Sequence, residues 1–440
     1  MADTGLVESR PRKLLRTFSA AAALVAAATL APAALAAPVS GALATNAALR
    51  AGATAATAAY GIGAPIPFRL FPVDNAWNAP VDQLPLDPDS AAYIAHMSPG
   101  TGLHPDFGTV WEGAAIGIPY VVVSGAQARV AIHFVEYGDE SDRGPYPVPG
   151  SAPVEGAGGS LADGDRHVLV LDADNQKLYE LYHAVKQPDG SWNAGSGAIW
   201  DLTSDKLRPA GWTSADAAGL PILPGLARYD EIVTEGVLDH ALRFTVSETQ
   251  RKYLYPATHY ASDSTDPSLP PMGLRVRLKA GFDVGGFPPA VQVVLRGLKK
   301  YGMMVADNGS DWYVGGAPDA RWDDDALHTL DQVKGSDFEV VDSRALQPGA
   351  FYVALTSTAT VRHGRAWSRR GSVFDPSGSR WTATVSYGDG SARRDLTLTA
   401  ARTFSLAHRY GRAHHRYTVT VTVRDDRGLT AIAHLRVRVR

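Results

Sequence analysis

The stretch Trp381-Thr-Ala-Thr-Val-Ser-Tyr387-Gly388-Asp389-Gly390-Ser391, continued by Phe404-Ser-Leu-Ala-His408-Arg-Tyr410 and Tyr417-Thr-Val-Thr-Val-Thr-Val423-Arg-Asp425-Asp426, decides how this chain is read. In each run β-branched or aromatic residues alternate with polar ones, the period that half buries a strand whose successive side chains point to opposite faces. Asp-Gly and Asp-Asp-Arg-Gly turns separate the runs. Such a pattern predicts a small two-sheet sandwich over residues 350–440.

The Tyr-Gly-Asp-Gly turn, and the spaced His-x-Tyr ahead of the Tyr-Thr-Val-Thr-Val strand, resemble the PKD module, an Ig-like fold. The resemblance covers about a fifth of the chain. It implies the company of a secreted enzyme or adhesive protein, and no chemistry in the module itself. The chemistry must then lie upstream.

At the other end, Arg10, Arg12, Lys13 and Arg16 precede an uncharged Ala/Leu-rich run from Phe18 to Ala37 that contains Ala34-Leu35-Ala36. This is the layout of a secretory signal peptide over residues 1–36, with cleavage after Ala36. A spanning helix would need about 20 strongly apolar residues, and this run is dominated by Ala and broken by Pro32. A secreted, extracellular protein with no membrane span is expected. Residues 37–64, mostly Ala, Gly and Thr, are too poor in bulky apolar groups to offset their ordering entropy and read as a linker.

The chain has no cysteine, so export here means folding without disulfides on a core of sufficient size. A net charge of −3 with 45% hydrophobic residues argues against a polyanion-binding or disordered protein, and no nucleic-acid partner is expected. The 43 glycines and 29 prolines favour loop-rich β structure. A monomer is expected.

Residues 65–343 read as the main domain, opened by Phe68, Phe71 and Trp77 and closed by Phe338-Glu-Val-Val-Asp342. Strands are predicted at 120–123, 129–137, 167–171, 177–183, 198–202, 240–246 and 274–279, most of them short and bounded by turn residues. Pro288 to Tyr301 instead places Val291, Val294, Leu295 and Leu298 at helical spacing, with Lys299 and Lys300 in the last turn and Gly302 beyond, so a helix is predicted there. The fold class is mainly β: a β-sandwich or jelly-roll-like core with a docked helix, plus the Ig-like sandwich. An α+β core is the alternative.

Local motifs for zinc proteolysis, a serine nucleophile elbow and phosphate cradling are missing, which leaves carboxylates, histidines, tyrosines and arginines to carry chemistry. Those residue types serve glycoside hydrolases and polysaccharide lyases. His104-Pro105-Asp106 puts an imidazole and a carboxylate on a rigid turn. In Leu178-Tyr-Glu180-Leu-Tyr182, alternation sends Leu178, Glu180 and Tyr182 to one face, where a covered carboxyl gains the raised pKa of a general acid. Glu180 with Asp106 is the expected catalytic pair, helped by His104 and His240. Trp111, Trp212, Asp216, His259, Arg275, Asp307 and Trp312 are the expected binding residues; Asp216 sits in the Pro- and Gly-rich loop 211–231, and Asp307 in Val305-Ala-Asp-Asn-Gly-Ser-Asp-Trp312. Asp139, Glu140 and Asp142 form an oxygen-rich loop for which calcium is the candidate ion.

Residues 68–342 also resemble a family of secreted bacterial proteins through the segments Gly-Asp-Arg-His, Leu-Tyr-Glu-Leu-Tyr, Trp-Thr-Ser-Ala-Asp-Ala-Ala-Gly-Leu-Pro and Ala-Asp-Asn-Gly-Ser-Asp-Trp. That resemblance implies export and a discrete domain, and no activity. The expectation is a carbohydrate-active enzyme, hydrolase or lyase, acting on an extracellular polysaccharide. A non-catalytic glycan-binding or adhesion protein is the alternative, and a peptidase a more distant one.

Overall fold

The computed structural model describes residues 60–157, 164–347, 350–375 and 379–440. The expected signal peptide and residues 37–59 of the expected linker lie outside them, while residues 61–62 of that linker form a strand of the main domain instead. The main strands in chain order are β1 (Gly61–Ile62), β2 (His104–Asp106), β3 (Tyr120–Val123), β4 (Val168–Asp172), β5 (Lys177–Tyr182), β6 (Ser196–Asp201), β7 (Leu242–Val246), β8 (Arg275–Leu278), β9 (Met303–Asn308), β10 (Tyr313–Gly315) and β11 (Phe338–Val340). They build a five-stranded sheet in the order β1-β3-β4-β5-β6 and a six-stranded sheet in the order β11-β8-β9-β7-β10-β2.

The molecule is mainly β, as its turn-punctuated sequence predicts. Three neighbouring pairs are parallel: β3 with β4, β7 with β9 and β10 with β2. An all-antiparallel jelly roll has no such pairs; residues between parallel strands must cross over, and such crossovers are long. Every residue of Tyr120–Val123 and Val168–Asp172 is buried. The reason is that both faces of this sheet are covered. Tyr120, Val122, Leu169, Leu171 and Leu178 enter one core, while Val121, Val123, Val168, Val170, Tyr179 and Leu181 enter another with Tyr146 and Trp192. Strands covered on both sides read as continuous apolar runs.

Helix α1 (Ser90–His96) is short, and α2 (Pro289–Lys300) is the predicted amphipathic helix. Proline at its first turn costs no hydrogen bond, since those N–H groups have no helical partner. Its buried Val291, Val294, Leu295 and Leu298 each contribute roughly 1.5–3 kcal/mol of apolar burial. Gly302 stops it at φ 65°, where an added Cβ would stand 2.0 Å from the Val276 carbonyl oxygen. β9 follows directly.

Residues 351–439 hold their own apolar core, built on Val385, Tyr387, Leu406, Tyr410, Val419 and Val421. A three-stranded and a five-stranded sheet enclose it. The motif residues interlock: the His408 ring stacks on Tyr387 at 4.0 Å and packs edge-on to Tyr410, and its Nε2 lies 2.7 Å from Asp389. Among the described residues, no helix is long and apolar enough to cross a membrane.

Candidate functional site

One face of the six-stranded sheet collects polar side chains. In-register neighbours share a face, and β2 pairs with β10 as His104 with Tyr313 and Asp106 with Gly315. β7 pairs with β10 as Thr245 with Tyr313, so Arg243, two residues before Thr245, lies on the same face as His104 and Asp106. Across β9 the register slips: Phe244 opposes Val305, but Thr245 opposes Asp307. The extra residue, Ala306, is a β-bulge that turns Asp307 to the face of Arg243, where simple alternation would send it to the other. Gly315 keeps the space open. A Cβ there would stand 3.1 Å from Arg243 Cγ and 3.2 Å from its Nη1.

Loop 211–231 is fastened between the two sheets. On one side Glu180 of β5 accepts hydrogen bonds from the Ile222 and Leu223 N–H groups, each at 2.9 Å, and Ser196 of β6 donates to the Ser214 carbonyl at 2.6 Å. On the other side Ala218 N–H donates to the carbonyl of the bulged Ala306 at 2.9 Å, and Ala227 N–H to Gly315 at 3.1 Å. Asp216 of this loop takes Arg243 in a bidentate pair at 2.7 and 2.9 Å. The segment that leads into β4 adds Asp165 and His167, separated by Arg166 in the left-handed region at φ 52°. His167 Nδ1 donates to Glu155 at 2.6 Å and Nε2 to the Ala215 carbonyl at 3.0 Å. Both partners only accept, so both ring nitrogens carry protons and His167 is an imidazolium.

These groups form one electrostatic system. Burial alone would lower the His167 pKa, but Glu155 beside it, through charge and hydrogen bond, raises it to about 9. Burial pushes Glu155 up, and His167 outweighs that and holds it below its ordinary value. Asp106 rises to about 6, through burial first and then the charge of Glu155, against the pull of Arg243. Asp307 rises to about 8, through burial first and then Asp216 and Asp165. Asp165 is raised by burial and by Glu155, against the pull of His167 and Arg243. Asp106 and Asp165 are nevertheless exposed to solvent, and Asp307 partly so. A carboxyl that solvent reaches while protein atoms crowd it lies in a recess. Asp165 is within electrostatic reach of both Asp106 and Asp307, and Arg243 likewise.

Of the expected site residues, Asp106, Asp216 and Asp307 enter this group. The His104 ring packs tilted against Tyr313, their centroids 4.1 Å apart, with a pKa lowered chiefly by burial. Glu180 has the expected raised pKa, about 7, because burial outweighs its hydrogen bonds to Leu223, Ile222 and Trp200. It is also 0% exposed. The loop covers it completely, so the acid role expected of Glu180 has no access to a substrate, and its work is to hold loop 211–231. His240 is buried too, with Nδ1 at 2.7 Å from the Ala241 carbonyl and Nε2 at 3.2 Å from Glu231, which also pairs with Arg228.

Arg275, expected to bind, is 0% exposed and donates to the carbonyls of Tyr301 and Ala76, tying the domain's entry segment to the sheet. Trp312 is equally buried, stacked between Phe244 and Phe338, with its indole N–H given to the Met97 carbonyl. Both are core residues rather than ligand contacts. His259 is buried, with Nδ1 bonded to the Ala217 carbonyl at 2.8 Å. Trp212 is partly exposed and lines an open groove with Trp200 and Arg208, whose guanidinium lies 5.7 Å from the Trp212 ring centroid. Trp111 is 58% exposed on a short hairpin.

The expected calcium ligands diverge. Asp139 points to solvent, Glu140 is buried and accepts from Thr213 N–H at 2.9 Å, and Asp142 pairs with Arg208. Among the described residues no three His, Asp or Glu side chains are placed to hold a metal ion. The sequence reading missed Glu155 and Asp165. For Asp165 the signal was its place in Gly-Asp-Arg-His, two residues before His167; Glu155, twelve residues before that histidine in a loop, gave none.

No family model matches the chain, and no curated protein is similar to it. Among solved structures, the PKD domain of an M14-like peptidase from Thermoplasmatales archaeon SCGC AB-540-F20 matches at 16% identity, covering 20% of this chain and 92% of that one, with a TM-score of 0.18. The M1 domain of titin matches at 13% identity, covering 21% of this chain and 96% of that one, with a TM-score of 0.17. The titin M4 domain matches at 11% identity over 20% of this chain and 95% of its own, also with a TM-score of 0.17. The chain thus carries a loose Ig-like and PKD-like resemblance over a fifth of its length.

Proposed function

We propose that this is an exported hydrolase of an extracellular polysaccharide, in which the recessed carboxyls Asp106, Asp165 and Asp307 perform acid–base catalysis. One observation carries the reading: solvent-reachable carboxyls of one cluster have pKa values pushed apart, Asp106 to about 6 and Asp307 to about 8. At neutral pH Asp307 holds a proton to give to a leaving oxygen, while Asp106 is ionised and can activate water or stabilise positive charge. Hydrolysis is favoured over elimination from a uronate. Elimination needs a cation free to neutralise the sugar acid, and both cations here already face carboxylates, His167 with Glu155 and Arg243 with Asp216.

A second reading, glycan binding without turnover, draws on the exposed Trp111, a flat apolar surface of the kind that stacks on pyranose rings. The two readings part in one experiment. The full chain is incubated with a panel of neutral and acidic polysaccharides, and new reducing ends and the ultraviolet absorbance of unsaturated uronates are scored. Reducing ends without that absorbance, lost in Asp307→Asn, support hydrolysis; unsaturated products would establish a lyase. Retention of the chain on a glycan with neither signal would leave the binding reading standing.

A further inference from the structure

The overall charge of −3 hides a separation of charge. Residues 350–440 contain sixteen arginines, no lysine, five aspartates and no glutamate, a net of +11 that leaves −14 on the rest of the chain. The structure shows where part of this charge stands. In the five-stranded sheet of the C-terminal module, strand Thr430–Val439 lies between Arg416–Asp425 and Thr358–Val361. Arg438 is directly opposite Arg416, and Arg436 directly opposite Thr418. On the other flank Arg436 faces Thr358 and Arg438 faces Thr360. All three arginines are exposed, and the alternation buries Val437, Val439 and Tyr417 beneath them.

Like charges placed directly across a ladder repel, whereas opposite charges there stabilise it. Here the arginine ion pairs of the module among the described residues are those of Arg427 with Asp375 and Asp425. Arg416, Arg436 and Arg438 have none. Among the described residues the carboxylate on their face is Asp395, on the edge strand opposite Thr384. Thr358, Thr360, Thr418 and Thr420 surround the three guanidinium groups with hydroxyls, and among the described residues of these strands no Trp, Tyr or Phe lies on this face to stack a nucleobase.

We propose that this arginine and threonine face binds an acidic polysaccharide, with the guanidinium groups pairing the repeated carboxylate or sulfate groups and the threonine hydroxyls meeting sugar hydroxyls. Arginine suits this role because its planar fork matches an oxyanion two bonds at a time. The site lies outside the acidic recess and stands whether or not that recess is catalytic. In a protein that is also a hydrolase, it would hold the enzyme on an acidic matrix.

The test is binding of the full chain to dextran sulfate, polygalacturonate, neutral dextran and single-stranded DNA, followed by affinity electrophoresis at two salt concentrations. Both acidic polysaccharides are expected to retard the protein and neutral dextran not to. Retardation should fall at least tenfold between 50 and 200 mM salt, as counterion release requires. The triple variant Arg416→Ser, Arg436→Ser and Arg438→Ser should lose at least tenfold in affinity with an unchanged circular dichroism spectrum. The triple lysine variant should keep most of the salt-dependent part. Equal binding by the serine variant would overturn the proposal, as would equal retardation by neutral dextran. DNA bound as tightly as dextran sulfate would assign the face to nucleic acid instead.

Discussion

Asp106 and Asp307 share their causes and differ in degree: burial first and neighbouring carboxylates second raise both, Asp307 the further. Their ordinary value is 3.8, so each keeps its proton in the folded protein at a pH where the unfolded chain has lost it. The stability this gives is complete below about 4 and is lost as pH rises through about 6 for Asp106 and about 8 for Asp307. The melting temperature should therefore fall across that interval, and Asp307→Asn should flatten its upper part. Hydrolysis should follow a bell with its acid limb near 6 and its alkaline limb near 8, and Asp307→Asn should reduce kcat by roughly 10²–10⁴-fold. A pH–rate profile and a thermal scan of the same variant check both. At Glu180 the prediction concerns stability. Removing its carboxyl leaves the Ile222, Leu223 and Trp200 donors buried and unpaired, so Glu180→Ala should cost about 3 kcal/mol or more in denaturant unfolding.

At the scale of elements, the bulge at Ala306 and the glycine at 315 do the positioning. The bulge turns Asp307 to the polar face and offers its carbonyl to Ala218, so one irregularity both aims a carboxyl and fastens the loop that carries Asp216. Gly315 leaves room for the Arg243 side chain beside Asp106. Gly315→Val should displace the guanidinium from Asp216, lowering activity at least tenfold at a stability cost of about 1–3 kcal/mol. Kinetics and urea unfolding of that variant, with Gly315→Ala as the milder step, check the pair. A helix was legible at α2 because its period, proline and glycine agree. The bulge was not, because Val305-Ala-Asp-Asn alternates no differently with or without an unpaired residue, and only the partner strand counts the difference.

On the scale of the molecule, the apolar cores of residues 64–340 and 351–439 are separate clusters. They should unfold in two transitions by calorimetry, and a chain ended at residue 347 should keep the transition of the main domain. The core of the main domain is large. Leu298→Ala, at 0% exposure, should lower its transition by the roughly 2–5 kcal/mol of a buried leucine cavity and leave the C-terminal one unmoved. A single merged transition that Leu298→Ala shifts as a whole would show that the two cores are one cooperative unit.

By itself the amino-acid order determined the β class, the Ig-like tail and the α2 helix, because alternation, turn chemistry and helix punctuation act over a few neighbouring residues. It also presented Asp106, Asp216 and Asp307 as candidates. Tertiary structure decided which carboxyls are reachable and which are sealed. Glu180 and Trp312 look as functional in sequence as Asp106 does, yet the loop covers the first and two phenyl rings enclose the second. Burial and charge proximity are properties of atoms brought together from separate segments of the chain, and the pKa values that separate an acid from a structural carboxylate exist only once those atoms have met.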